Sequence, residues 1–297
     1  MSGCYVFLDI DLNDSRARYR RACQFVEANS IKYGLSSDNL KELGGRELKS
    51  VQGFFENDYE WSSKGSIRVR PQPSTRLVIE LNTVESPLAT ENFLSLCTGE
   101  KGKSKGSGLL LSYIGSRFHR YVPAGERGTG LGILQGGDIT FGNGTGGESI
   151  WGKKFKDDVN GLKLKHDKRG VVSMGNGGKN SNTSQFFICL KESGSPACDK
   201  KHVVLGQIIH GFDTLDLIEK MIAQEEGARD STVFGGSSGE EPPVEITVTA
   251  SGRWRDVDLK QGFWDHDDVF KAFAHSDDRK GIAPQAVFAD KGAVKES

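Results

Sequence analysis

Two glycine-rich stretches offer the first chemistry. FGNGTGG at 141–147 has the G-x-G-x-x-G spacing of a dinucleotide loop, and GGESIWGKK puts Gly147, Gly152 and Lys153 at the spacing of a phosphate loop. A dinucleotide loop needs a strand before it and an amphipathic helix after it, and SIWGKKFKDD is no such helix. A phosphate loop needs Ser or Thr after its lysine to hold magnesium, and Lys154 stands there instead. Both stretches therefore read as structural loops. His, Ser and Asp residues are present without a G-x-S-x-G elbow, which leaves no case for a hydrolase. Arg16, Arg18, Arg20 and Arg21 form a cluster of the kind that meets phosphates. With Asp14 and Glu27 close by it reads as a solvated helix face, so nucleic acid is not the expected partner. Five cysteines (Cys4, Cys23, Cys97, Cys189, Cys198) are odd in number and contain no C-x-x-C, so neither a disulfide framework nor a zinc site is expected. No metal or cofactor is implied.

The elements that would position any site are mostly short strands. Residues 5–12 alternate, with Val6, Leu8, Ile10 and Leu12 on one face and Asp9 and Asp11 on the other, the period of a half-buried strand. The next such strand is TRLVIEL, with Leu77, Ile79 and Leu81. Between them, residues 14–60 place Tyr19, Ala22, Phe25 and Val26, then Leu40, Leu43, Leu48, Val51, Phe54 and Phe55, at helical spacing, broken at Gly44 and Gly45. This predicts two or three short amphipathic helices, closed off by Pro71 and Pro73. Ser86 and Pro87 start another helix, continued by Phe93 and Leu96 and stopped by Gly99. A further helix begins at Asp213 with the stripe Leu215, Ile218, Ile222. Strands are expected around VVSM, QFFICL, HVVLGQII and VEITVTASG, so that two helices cap many short strands in a closed or nearly closed barrel. From Trp254 onward clear periodicity is lost.

With 36% apolar and 27% charged residues and a formal charge of −1, the 297-residue chain fits a soluble globular class and favours no acidic partner. No apolar run approaches the roughly 18 residues of a membrane helix. The N-terminus turns acidic straight after its short apolar stretch, unlike a signal peptide. A reducing, cytoplasmic compartment is expected, with the nucleus left open. The sequons at Asn13, Asn143 and Asn182 would then be silent. The 38 glycines crowd between Gly99 and Gly178, where they imply tight turns.

Five separated blocks carry a resemblance. LSLCTGEKG at 94–102, FHR at 118–120, LQGGD at 134–138, MGNGGKNSNTSQFFICL at 174–190 and KHVVLGQIIHGFD at 201–213 resemble, in order, the signature of the cyclophilin family of peptidyl-prolyl cis-trans isomerases. The resemblance implies a mainly β fold, a closed eight-stranded antiparallel barrel capped by two α-helices, with a proline-binding groove on its outer surface. It covers 4–12 and 75–252. Residues 14–73 then read as a helical insertion between the first two barrel strands, 4–253 as one cyclophilin-like domain, and 254–297 as a C-terminal tail. KGKSKGSGLLLSYIGS, before FHR, is similar to cyclophilins with an extended loop there.

What the resemblance implies for the site is a catalytic set of Arg120, Gln135, Phe187 and His202, and a substrate-binding set of Ile133, Gly144, Gly175, Asn176, Gln185 and Cys198. Taken singly, such residues are surface arginine, core phenylalanine and satisfied hydrogen-bonders. The implied ligands are proline-containing peptides or proteins; the chain itself points to no membrane, and a third reading makes helices 14–60 a docking surface for a protein or RNA partner. Two positions depart from the family: Gly132 where an aromatic is usual, and Ala197 where tryptophan is frequent. The competing reading is therefore a scaffold that holds proline-containing segments with little turnover.

Overall fold

The computed structural model describes residues 3–72, 75–125, 130–228 and 241–254, with the side chains of 226–228 excepted. Pro73 and the tail beyond Trp254 lie outside the described residues.

The first strand, β1 (Cys4–Leu12), leads directly into helical structure: α1 (Ser15–Asn29), α2 (Gly45–Asn57) and the single-turn α3 (Tyr59–Ser62). β2 (Arg76–Leu81) and α4 (Pro87–Thr98) follow, then β3 (Phe118–Val122), β4 (Ile133–Gly136), β5 (Val171–Met174), β6 (Phe186–Cys189) and β7 (Val204–His210). α5 (Phe212–Ala228) and β8 (Ile246–Trp254) are the last elements of the described residues. The helix expected after Ser86 has Pro87 in its first turn and ends at Gly99, whose φ of 67° is a left-handed cap that favours glycine.

All eight strands pair antiparallel in the order β3-β4-β6-β5-β7-β2-β1-β8. The expected closed barrel needs correction. The ladder is a curled half-barrel with β3 and β8 as its edges. They meet only just ahead of β3, where Gly115 donates to the Val248 carbonyl (2.7 Å), Val248 donates to that of Ser116 (2.9 Å), and Arg117 bridges Thr247. Continuous pairing stops there because β3 runs on as a short strand paired only to β4. Inside, Phe93 of α4, Tyr113 and Phe186 of β6 pack with ring centroids 5.0–5.2 Å apart, and Leu215, Ile218 and Ile222 of α5 join the same core. Each such side chain taken from water contributes about 1.5–3 kcal/mol.

The outer face of β1 also departs from expectation. Asp9 and Asp11 are buried, not solvated. Asp9 takes a two-pronged ion pair from Arg76 (2.6 and 2.7 Å), Asp11 accepts from Ser15 (2.8 Å), and Arg16 reaches Thr249 of β8 (2.9 Å). The start of α1 and the first residue of β2 thus cover this face, Ser15 partnering Asp11 and Arg76 partnering Asp9, as buried carboxylates require. The turn is made by Asn13 and Asp14 in left-handed conformation, φ 54° and 52°, with the Asn13 amide and side chain bonded to Glu245 (2.8 and 2.9 Å).

The helices between β1 and β2 have a core of their own. Phe25 meets Phe55 and Trp61 edge-on at 5.3 and 5.5 Å, and Tyr33 stacks on Phe54 at 4.7 Å. Leu40, Val51 and Ile67 close around them.

Candidate active groove

Three neighbouring strands bring Arg120, Gln135 and Phe187 together. Arg120 pairs across β3 and β4 with Gln135, and Gln135 pairs across β4 and β6 with Phe187. Hydrogen bonds continue what the register begins. The Arg120 guanidinium donates to Gln135 Oε1 (3.1 Å), and Gln135 Nε2 donates to Gln185 Oε1 (2.8 Å). Gln185 Nε2 in turn donates to the carbonyls of Gly144 and Gly146 (2.9 and 2.8 Å). The relay sets the orientation of both glutamine amides and holds one edge of the guanidinium fork.

Gly144 and Gly175 allow this closeness. A Cβ on Gly144, whose φ is +88°, would stand 2.7 Å from the His119 ring, and one on Gly175 would press on Gln185 and Gln135 at 3.2 and 3.4 Å. The loop carrying Gly144 folds around Asp138, whose carboxylate accepts from the amides of Thr140, Phe141, Gly144 and Gly146 at 2.9–3.1 Å. Burial would raise this carboxyl, but the donors outweigh it and bring it down to about 2. The G-x-G-x-x-G stretch is thus a turn wrapped on an internal anion. A cleft of about 440 Å³ opens here, lined by His119, Arg120, Gln135, Asn143, Gly144, Thr145 and Glu241.

The apolar half lies alongside. Phe187, 2% exposed, packs with Ile133 and Cys198, and Leu131 backs them. Its ring sits between two histidines, stacked on His166 at 5.8 Å and edge-on to His202 at 5.1 Å. His202 Nδ1 lies 3.0 Å from the Met174 carbonyl, and burial lowers its pKa. Behind the ring runs a chain of Ser173, His166 and Asp199: Ser173 Oγ is 2.8 Å from His166 Nε2, and His166 Nδ1 is 3.0 Å from Asp199. Burial lowers the His166 pKa, and bonds from the His166 amide and ring and from Lys165 bring Asp199 to about 2 against its own burial. Ser173 and His166 are fully enclosed, so this arrangement orients a ring and meets no substrate.

Asn176 spends its side chain on the loop, donating to the Lys201 carbonyl (3.0 Å) and accepting from the Gly178 amide (3.2 Å). The space left by Gly132 is covered by the methylene stem of Lys191, whose ammonium reaches the Gly130 carbonyl (3.0 Å). Ala197 is exposed beside the buried Cys198, in the short turn Pro196–Cys198. All ten expected positions therefore lie on or under one surface. Sequence reasoning missed His119, Asp138, His166, Lys191, Asp199 and Glu241. Asp138 stood inside the quoted LQGGD block, and a carboxylate ahead of a glycine-rich turn is the signal that could have found it.

Among the described residues no group of three His, Cys, Asp or Glu side chains is placed to hold a metal ion, and no helix is long and apolar enough to cross a membrane.

A family model described as cyclophilin type peptidyl-prolyl cis-trans isomerase/CLD matches residues 67–246, more than half of the chain. With the antiparallel half-barrel and its groove, this defines the class: the chain belongs to the cyclophilin-type peptidyl-prolyl cis-trans isomerase family and carries that enzyme domain. The match starts ahead of β2 and ends on the first residue of β8, so β1 and α1 to α3 lie outside it.

Proposed function

We propose that this protein catalyses rotation about X-Pro peptide bonds in protein substrates, assisting folding or the remodelling of complexes. Conjugation sets a barrier of roughly 18–20 kcal/mol to that rotation, while the two prolyl isomers differ by only about 0.5–1 kcal/mol. Such a reaction needs neither nucleophile nor metal, only an environment that favours the twisted amide.

When the amide twists, the prolyl nitrogen regains a localised lone pair that the planar ground state lacks. A guanidinium aimed there stabilises the transition state selectively. Arg120 takes this role because its fork stays charged and is held along one edge by Gln135. Phe187, Ile133, Cys198 and His202 form the dry seat for the proline ring, and the Asn176 backbone meets the residue before it. Gln185, Gly144 and Gly175 fix the relay and leave room for the peptide chain. Each tenfold acceleration requires about 1.4 kcal/mol of differential stabilisation, so a few such contacts are sufficient. The observation that carries this reading is the alignment of one cationic fork and one buried phenyl ring on either side of Gln135, across three successive strands.

A protease-coupled assay on a prolyl tetrapeptide tests it. Acceleration by the wild-type chain that Arg120→Ala lacks is expected, and equal rates for the two proteins would sink the assignment.

Weak cyclosporin binding belongs to the same proposal, because an indole is missing at Ala197 and a flexible lysine stem replaces an aromatic wall at Gly132. A calorimetric titration returning nanomolar affinity would refute it. Those two positions also support the scaffold reading, in which the groove binds proline segments without turnover. A scaffold would show no exchange between the cis and trans NMR signals of a bound peptide.

A further inference from the structure

The sequence separates the helical insertion into two electrical halves. Residues 27–60 hold four cations and seven acids, whereas 15–26 and 61–75 hold seven cations and no acid. The fold brings the two acid-free stretches side by side. The Arg68 amide donates to the Arg18 carbonyl (3.2 Å), Arg18 Nη2 reaches the Ile67 carbonyl (3.5 Å), and Arg21 Nη1 reaches that of Ser66. Arg16 points away, into the seam with β8. What remains is a patch of Arg18, Arg20, Arg21, Arg68 and Arg70, with Arg20 and Arg70 exposed and the others half-buried. The solvated-face reading of α1 did not foresee the second strip.

The guanidinium contacts recorded in this patch go to backbone carbonyls, Arg68 Nε to Arg70 (3.0 Å) included. Among the described residues no carboxylate lies within ion-pair distance of any of the five. Carbonyl contacts orient a guanidinium without neutralising it and leave most of its five donors unspent. Five like charges so gathered repel one another, and a polyanion offsets that repulsion. The short helix leading into this strip presents Tyr59, 94% exposed, and Lys64 lies over the Trp61 ring at 3.6 Å. One exposed aromatic ring in the turn ahead of a strip of arginines without carboxylate partners supplies a stacking surface and phosphate donors on the same part of the chain.

We propose that the face formed by α1 and residues 64–70 docks single-stranded nucleic acid, independently of the isomerase groove.

Fluorescence anisotropy of the full chain with a labelled oligouridylate of about 16 nucleotides tests this. Binding is expected at about 50 mM salt. If about four phosphates are engaged, raising salt to about 200 mM weakens it about 50-fold. The double variant Arg20→Glu with Arg70→Glu should bind at least about tenfold more weakly with a shallower salt slope, and Tyr59→Ala at least about fivefold more weakly. Charge reversal at Lys41 and Lys49, in the acidic half, should change affinity less than about twofold. Unchanged hydrogen exchange in α1 and α2 in each variant shows that this part of the fold is kept, and unchanged isomerase activity that the groove is not involved. No binding at low salt overturns the proposal. So does equal loss in both charge reversals, equal binding of a duplex of the same length, or tighter binding of a phosphoserine peptide.

Discussion

In the groove, the side chains that meet stand on paired strands and on the loops beside them, Arg120 beside Gln135 and Phe187 beside His166 and His202, and polar relays orient them. In the cluster of α1 to α3, Phe25, Tyr33, Phe55 and Trp61 come from one continuous stretch, and ring contacts hold them. The first region is fixed by strand register, so a single side chain there can change the chemistry while the sheet persists. The second is a local fold whose stability rests on a few aromatics and whose loss need not reach the groove.

Truncation in the cluster gives the largest expected energy. Phe25→Ala should cost about 3–5 kcal/mol of local stability, read as faster hydrogen exchange in α1 and α2. Isomerase activity should change less than about twofold, and a parallel fall would show that the regions are coupled. In the groove, Gln185→Leu strips Gln135 of its acceptor and the Gly144 and Gly146 carbonyls of their donor. A loss of roughly tenfold in kcat/KM is expected, carried by kcat.

Acid separates the two regions differently. Burial lowers the pKa of His119, His166 and His202, all of which belong to the groove. Above the ordinary histidine value of about 6.5 both folded and unfolded chains carry them neutral. As pH falls below that value the unfolded chain takes up protons first, so stability declines until the folded values are passed. A second decline should run between about pH 4 and 2, where Asp138 and Asp199 in the groove, and Asp58 in the helical cluster, lose charges that the fold stabilises. Urea midpoints against pH should show both steps, and His166→Gln should diminish the first. The smallest effect is expected for Lys191→Ala, which removes the aliphatic cover over Gly132 and the bond to the Gly130 carbonyl. KM should rise less than about threefold with kcat retained.

Much of this was legible in the chain itself. The alternation of residues 5–12, the Ser86-Pro87 start, the Gly99 stop and the stripe Leu215, Ile218, Ile222 all became the elements they predict. Arg120, Gln135 and Phe187 were legible through the motif blocks that contain them. The rest depends on long-range partners. Asp9 and Asp11 read as a solvated face because nothing local signals that Arg76 of β2 and the start of α1 cover them. Lys191 covers Gly132 from a different strand connection, and Glu241 enters the cleft from the approach to β8. The half-barrel read as closed because hydrophobic period fixes which residues face inward and leaves open where edge pairing ends.

The central claim is that Arg120 acts on the twisted amide more than on the bound peptide. Two-dimensional NMR exchange on a prolyl peptide, with its dissociation constant measured in the same samples, separates these for wild type and Arg120→Ala. The account predicts that exchange falls about 100- to 1,000-fold while affinity shifts less than about threefold. Exchange that persists in the variant, or that falls only as far as affinity does, would contradict it.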